Sequence, residues 1–168
     1  FMDFTSGREA TFFNGGDEGV IHLDYTNPYC ESLKGYIMRA ADDIGMDVVN
    51  GGCYVCTQGP RFETAAEIRM MKMMGADVVG MTNVPEVVLA REAEMCYASI
   101  AMATNWAAGM SDQPLTHEEV VDFMSDNVSK FKKLILRTVD LIDENSECGC
   151  NSILSSMKEK GKGVIKFV

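Results

Sequence analysis

The residues with the densest chemical content in this 168-residue chain lie between Gln58 and Trp106. Three stretches carry it: Gln58-Gly-Pro-Arg-Phe-Glu-Thr64, Gly80-Met-Thr-Asn-Val-Pro-Glu86 and Ala103-Thr-Asn-Trp106. Each follows an apolar run that reads as a buried strand, and in α/β sheets ligands bind beyond the carboxyl ends of the strands. Thr82 falls between a strand end and a helix start, where outward backbone N–H groups and the helix dipole favour an anion, so its hydroxyl is a candidate phosphate contact. Phe62 and Glu63 fall at a second helix start. From the residues alone both readings of each stay open: Phe62 as ligand contact or core packing, Glu63 as ligand contact or a first-turn carboxylate complementing the helix dipole.

The cysteines are a second source of chemistry. Cys53 and Cys56 form a C-x-x-C, but they flank Tyr54-Val55 in a predicted strand and so point to opposite faces, which argues against a metal or redox pair. Cys30, Cys53, Cys56 and Cys96 sit in or beside apolar runs and read as reduced, buried thiols. Cys148-Gly-Cys150 lies in a polar turn, as a strained vicinal-type disulfide or, the preferred reading, two thiols.

Composition bounds the partners. One domain's length, 46% apolar residues and an ordinary charged fraction describe a soluble globular chain. With 25 acidic against 15 basic side chains the net charge is −10, which disfavours nucleic acid or an anionic membrane surface. No stretch reaches the roughly 18 uninterrupted apolar residues of a membrane span, and no secretory leader is visible at the N-terminus, so the expected location is cytoplasmic.

Periodicity supplies the elements that position these residues. Phe1 to Gly19 reads as irregular, Val20 to Asp24 as a short strand, and Tyr29 to Ile44 as a helix stopped by Gly45. Val48 to Thr57 reads as one or two strands interrupted by Gly51-Gly52. Thr64 caps a helix from Ala65 to Met74, with Glu67 completing a capping box. Ala76 to Met81 is a short strand, Pro85 suits the first turn of a helix through about Glu94, and Tyr97 to Thr104 reads as a strand buried on both faces. Thr116 caps a long helix from His117 to about Asp143, with Val120, Val121, Met124, Val128, Phe131, Leu134, Ile135 and Val139 as its buried stripe. A short helix around Ile153 to Lys160 ends the elements. Strands separated by crossover helices predict an α/β fold with a mixed, largely parallel central sheet flanked by helices.

Several segments in order resemble one family. Gly59-Pro-Arg-Phe-Glu-Thr64, Gly75-Ala-Asp77, Gly80-Met-Thr-Asn-Val-Pro-Glu-Val-Val-Leu-Ala-Arg-Glu92 and Cys96-Tyr-Ala-Ser-Ile-Ala-Met-Ala-Thr-Asn105 are similar to the trimeric purine nucleoside phosphorylase and methylthioadenosine phosphorylase family. The likeness runs from Phe1 to about Phe131 and fades from 144 to 168. It implies a single phosphorylase domain of which 1–168 is the C-terminal portion, the family's Gly-rich phosphate loop and its phosphate-binding Arg and His lying upstream. It also implies cleavage of the N-glycosidic bond of a purine nucleoside by inorganic phosphate as co-substrate, no cofactor or metal, and a homotrimer or dimer of trimers. As the C–N bond lengthens, the sugar becomes oxocarbenium-like and the purine gains negative charge. Donors around the base and a held phosphate therefore suffice, with no nucleophilic side chain.

Carried over by position, the resemblance assigns Phe62 to stacking on purine and ribose, Glu63 to accepting the N1–H of a 6-oxopurine, Met81 to the ribose and Thr82 to phosphate. Thr104 and Asn105 fall at the base. Asn105 is the catalytic candidate and the one that discriminates, because its amide can donate to N7 and O6, whereas an ionised Asp offers only acceptors. Ala107 stands where the adenine-type pattern has a second aspartate. Together these residues favour hypoxanthine or guanine over adenine. The 5′ end is split: His117 matches a residue that meets a 5′-hydroxyl, and His22 one that enters the neighbouring subunit's 5′ pocket in methylthioadenosine phosphorylases. The expectation is a 6-oxopurine nucleoside phosphorylase. A methylthioadenosine or methylthioinosine phosphorylase is the enzyme alternative, and a truncated purine-binding remnant the non-enzymatic one.

Overall fold

The computed structural model describes residues 1–15, 19–111, 117–143, 145, 147–155 and 164–165. Its centre is a three-stranded parallel sheet in the order β1 (Met2–Phe4), β3 (Tyr54–Thr57), β4 (Val78–Gly80). Phe4 pairs with Thr57 and Cys56 with Gly80, so all three strands finish at one edge. A separate antiparallel pair joins β2 (Val20–Ile21) to β5 (Val164–Ile165).

Both faces of the parallel sheet are covered, as parallel sheets require. Val55 and Cys56 are adjacent in β3 and belong to different apolar clusters, since successive strand residues face opposite ways. Val55 packs with Ile68 and Met71 of α2 (Ala65–Met73), while Cys56 packs with Val84 and Val87 of α3 (Asn83–Glu92). A third cluster joins Ala40 and Ala41 of α1 (Glu31–Ile44) to Leu134 of α4 (His117–Leu141).

Local chemistry explains the helix ends. The N-cap of α1 is Cys30, whose Sγ accepts the Leu33 N–H at 3.4 Å. Gly45, at φ 64°, closes the helix in a Schellman arrangement: its N–H meets Asp42 O at 3.2 Å and that of Met46 meets Ala41 O at 2.9 Å. The predicted capping box of α2 is present in full, Thr64 and Glu67 each accepting the other's backbone N–H. Val84 interrupts the helical dihedrals of α3 just before Pro85.

Five expectations are corrected. Met2–Phe4, read as irregular, is a strand: three residues are too few to show alternation, and their ladder partner lies some fifty positions away. Only Tyr54–Thr57 of the 48–57 run pairs, and β2 is two residues long. Tyr97 to Thr104 forms no strand among the described residues. The run is held instead by Cys30 N–H donating to Tyr97 O at 2.8 Å and by Ile100 packing on the α1–α4 cluster. The buried line of α4 is shifted from the predicted stripe. Leu134 and Thr138 are buried with Phe131 and Leu141 beside them, whereas Val121, Met124, Val128, Ile135 and Val139 are exposed. Helix α4 has more apolar residues than α1, its main described partner, can cover.

The tail opens with a 3₁₀ turn at Gly149–Ser152 and stays helical to Ser155. The rest of the predicted 153–160 helix, and the predicted cap Thr116, lie outside the described residues.

Candidate active site

A cleft of about 190 Å³ opens at the carboxyl edge of the parallel sheet, walled by Phe4, Thr57, Gly59, Glu63 and Met71 among others. Its polar centre is one hydrogen bond. Thr57, the last residue of β3 and only 8% exposed, donates Oγ1–H to Glu63 Oε1 at 2.6 Å. A strand end thus fixes the carboxylate that stands at the start of α2. Thr57 takes one carboxylate oxygen, and the second retains acceptor capacity for a ligand N–H.

The start of α2 is braced from outside. Arg61 grips Glu67 with both terminal guanidinium nitrogens, at 2.7 and 2.9 Å, and Glu67 Oε2 also accepts the Thr64 N–H at 2.7 Å. These bonds, the Arg61 bond foremost, hold the Glu67 carboxyl at about 2, well below its ordinary value. Phe62 and Glu63 therefore sit on a backbone pinned on both sides. Phe62 is 41% exposed, so it is not the buried core residue that sequence left possible.

The second loop is tied to the first by Arg8. Its guanidinium donates to Thr57 O at 3.3 Å, Gln58 O at 3.1 Å, Gln58 Oε1 at 3.3 Å and Met81 O at 2.8 Å, and also to Val84 O. One planar fork satisfies carbonyls at the ends of both β3 and β4, a task suited to arginine. Met81 reaches back to the first loop. A Cβ on Gly59, which has φ 66°, would lie 2.5 Å from Met81 Sδ, so glycine there permits both the turn and the contact. Thr82 is the N-cap of α3 yet makes no side-chain cap bond, and it is exposed. Asn83 beside it is buried and donates to Tyr29 Oη at 2.9 Å.

The third loop approaches α2 without walling the cleft. Ala107 and Ala108 pack on the Val55–Ile68–Met71 cluster, and a Cβ on Gly109 would lie 2.5 Å from Ala65 Cβ. Asn105 stands two residues before that contact, exposed, with its Oδ1 accepting from Thr104 Oγ1 at 2.6 Å and its Nδ2 donating to Trp106 O at 2.9 Å. Its amide is thus committed to its neighbours. His22 is exposed beside β2, and His117 is the first residue of α4. The cleft therefore gathers Glu63 with Thr57 and Gly59, while Met81 touches Gly59 from the second loop, Phe62 and Thr82 sit on the adjoining turns, and Met81, Phe62, Thr82, Thr104, Asn105 and His22 stay outside the cleft wall.

Sequence reasoning missed Thr57, Arg8 and Glu92. Glu92 is 6% exposed and accepts Thr11 Oγ1–H at 2.8 Å and Phe12 N–H at 2.7 Å, anchoring the N-terminal segment. A hydroxyl as the last residue of an apolar strand was the available signal for Thr57. For Arg8 and Glu92, whose partners lie 48 or more positions away, there was none.

The phosphorylase superfamily profile matches residues 1–140. The chain belongs to the phosphorylase superfamily. Among its phosphorylase relatives, one named probable 6-oxopurine nucleoside phosphorylase from Dictyoglomus turgidum is 51% identical over 96% of this chain and 61% of its own length. The 6-oxopurine nucleoside phosphorylase of Pyrococcus furiosus is 48% identical over 91% of the chain and 60% of its own. A probable S-methyl-5′-thioinosine phosphorylase of Methanopyrus kandleri is 47% identical over 92% and 59%. The chain thus spans about three-fifths of the length of the curated relatives it matches. In three dimensions it is similar to an adenosine/methylthioadenosine phosphorylase of Schistosoma mansoni in complex with adenine. That likeness has a TM-score of 0.83 and 32% identity, over 94% of this chain and 62% of that one. The nucleoside phosphorylase-like α/β fold follows from it.

Proposed function

We propose that the protein carrying this chain is a 6-oxopurine nucleoside phosphorylase. The observation that carries the reading is the Glu63 carboxylate held by Thr57 in the sheet-edge cleft, in a chain 47–51% identical to four phosphorylases named for 6-oxopurines. A 6-oxopurine presents an N1–H that this carboxylate accepts, where adenine presents a bare nitrogen. A phosphate oxygen forms a bond to C1′ as the C1′–N9 bond breaks, the bonding pair passes into the purine, and N7 is stabilised by a donor and finally takes a proton from solvent. Asn105 Nδ2 is that donor, Thr82 meets the phosphate, and Phe62 and Met81 pack on base and ribose. Inorganic phosphate is the only co-reactant. For Asn105 to act, its bonds to Thr104 and Trp106 exchange for bonds to the base.

The assembly proposed is a homotrimer, in which His22, exposed here, reaches a neighbouring 5′ pocket and His117 addresses the 5′ group from its own chain. Sedimentation equilibrium of the full-length protein tests this, and a mass that is not a multiple of three chains refutes it. The second reading, methylthioinosine phosphorylase, is favoured by the 47% identity to the relative so named.

Phosphate-dependent release of base from inosine, methylthioinosine and methylthioadenosine, for wild type and Asn105→Asp, decides among these. The expected result is hypoxanthine release from inosine by wild type and a shift towards adenine release in the variant. Greater turnover of methylthioinosine selects the second reading, and preference for methylthioadenosine overturns the role of Glu63.

A further inference from the structure

Four cysteines from three distant parts of the chain meet where α1 begins. Cys30 caps α1, Cys96 follows α3, and Cys148 and Cys150 flank Gly149 at the 3₁₀ turn beyond α4. Their Sγ atoms all lie within 4.8 Å of one another. All four are free thiols, and Cys96 Sγ and Cys148 Sγ are 3.2 Å apart, against the roughly 2.05 Å of a disulfide bond.

This is more convergence than disulfide pairing needs. Two bridges require two close pairs, whereas here every sulfur neighbours the other three. A tetrahedron of sulfurs each about 2.3 Å from a central zinc has edges of about 3.8 Å. All the separations are 4.8 Å or less, and the Cys96–Cys148 pair, at 3.2 Å, would open by about 0.6 Å around the ion. Sulfur donors alone, in a compact set of four, select a tetrahedral, thiophilic divalent cation over magnesium or calcium.

Contacts outside the cluster hold three of the segments in place. Cys30 N–H donates to Tyr97 O at 2.8 Å, which locks the residue next to Cys96 against the cap of α1. Glu94, a non-glycine residue at φ 57°, accepts the Leu154 N–H on Oε1 at 2.8 Å, which docks the turn carrying Cys148 and Cys150 onto the segment carrying Cys96. The Leu33 N–H points at Cys30 Sγ, the kind of outer hydrogen bond that steadies a ligating thiolate.

We propose that Cys30, Cys96, Cys148 and Cys150 form a tetrathiolate site for a structural zinc ion, fastening the segment after α4 to the start of α1 and to the stretch after α3. Binding forms four Zn–S bonds and breaks four S–H bonds; four protons go to solvent and nothing is oxidised or reduced. Four protein ligands leave no open position, so the ion holds structure and does no chemistry on substrate. This departs from the sequence reading, which took Cys30 and Cys96 as buried thiols and Cys148 and Cys150 as two thiols in preference to a vicinal-type disulfide, and called for no metal; Cys96 is exposed. A C-x-C with its other two ligands 52 and 118 positions upstream of Cys148 has no recognisable zinc spacing.

The test is metal analysis of the full-length protein purified under reducing conditions with zinc supplied, alongside cobalt(II) titration of the metal-stripped protein. Expected are about one zinc per chain, the absorption of a tetrahedral cobalt tetrathiolate, and protection of four cysteines from alkylation until a chelator is added. Cys148→Ser/Cys150→Ser, placed in the tail turn where folding is least affected, loses the metal, while Cys53→Ser, outside the cluster, keeps it. Wild-type protein without stoichiometric zinc or a cobalt spectrum overturns the proposal, whether mass spectrometry then finds disulfides or free thiols. Retention of zinc by the double variant overturns it as well. The cobalt titration on wild type decides the matter even if that variant misfolds.

Discussion

The Thr57–Glu63 hydrogen bond concentrates the base-reading hypothesis in one proton. Removing the hydroxyl frees the carboxylate to turn without removing it. Thr57→Val is therefore expected to lower kcat/KM for inosine by roughly ten-fold, the worth of one positioning hydrogen bond, and Glu63→Gln by roughly a hundred-fold because the charged acceptor itself is lost. Steady-state kinetics on the full-length enzyme check the order, and equal losses would show that Thr57 does more than orient Glu63. Gly59 is the other single residue on which the cleft depends. Gly59→Ala adds a Cβ 2.5 Å from Met81 Sδ at φ 66°, so a loss of about 1–3 kcal/mol in urea unfolding is expected. Combining it with Met81→Ala restores the steric part of that loss and leaves the backbone part, a separation a double-mutant cycle reads directly.

Among the elements, α2 governs the pH response. The Glu67 carboxyl is held down to about 2 from an ordinary 4.5, first by Arg61 and then by the Thr64 N–H. A carboxyl depressed in the folded chain binds protons more readily unfolded. Its contribution is therefore whole above about pH 4.5 and drains away as pH falls towards about 2. Glu67→Gln should flatten that limb: thermal midpoints of wild type fall more steeply than those of the variant across this window and run parallel above it. The difference narrows in high salt, since Arg61 is exposed and Glu67 only half-buried. Parallel curves throughout would mean that the Arg61 grip does not persist in solution.

For the molecule as a whole, stability rests on the three clusters that clamp the sheet and join α1 to α4. Leu134 is fully buried at the α1–α4 contact, so Leu134→Ala is expected to cost about 3 kcal/mol. Val128→Ser, on the exposed side of α4, should stay within about 0.5 kcal/mol in a single chain. Chemical denaturation of both variants measures the contrast. A large loss at Val128 would show that this face is covered in the assembled protein.

Sequence by itself determined what short-range physics controls. The capping box of α2, the Gly45 stop, the strand–loop–helix order around Gly59 and Gly80, and the family were all legible because their signals lie within a few residues of one another. Periodicity also found the amphipathic character of α4, but not which of its apolar residues would meet a partner, since that depends on where α1 lies. Tertiary structure alone decided the rest. Met2–Phe4 is a strand only because β3 runs beside it, Tyr97 to Thr104 is not one because no described strand lies alongside to pair with it, and Arg8 matters only once the ends of β3 and β4 are adjacent. The four cysteines make the same point: separated by up to 120 positions, they have no common signal in the chain, and only folding brings their sulfurs within 4.8 Å.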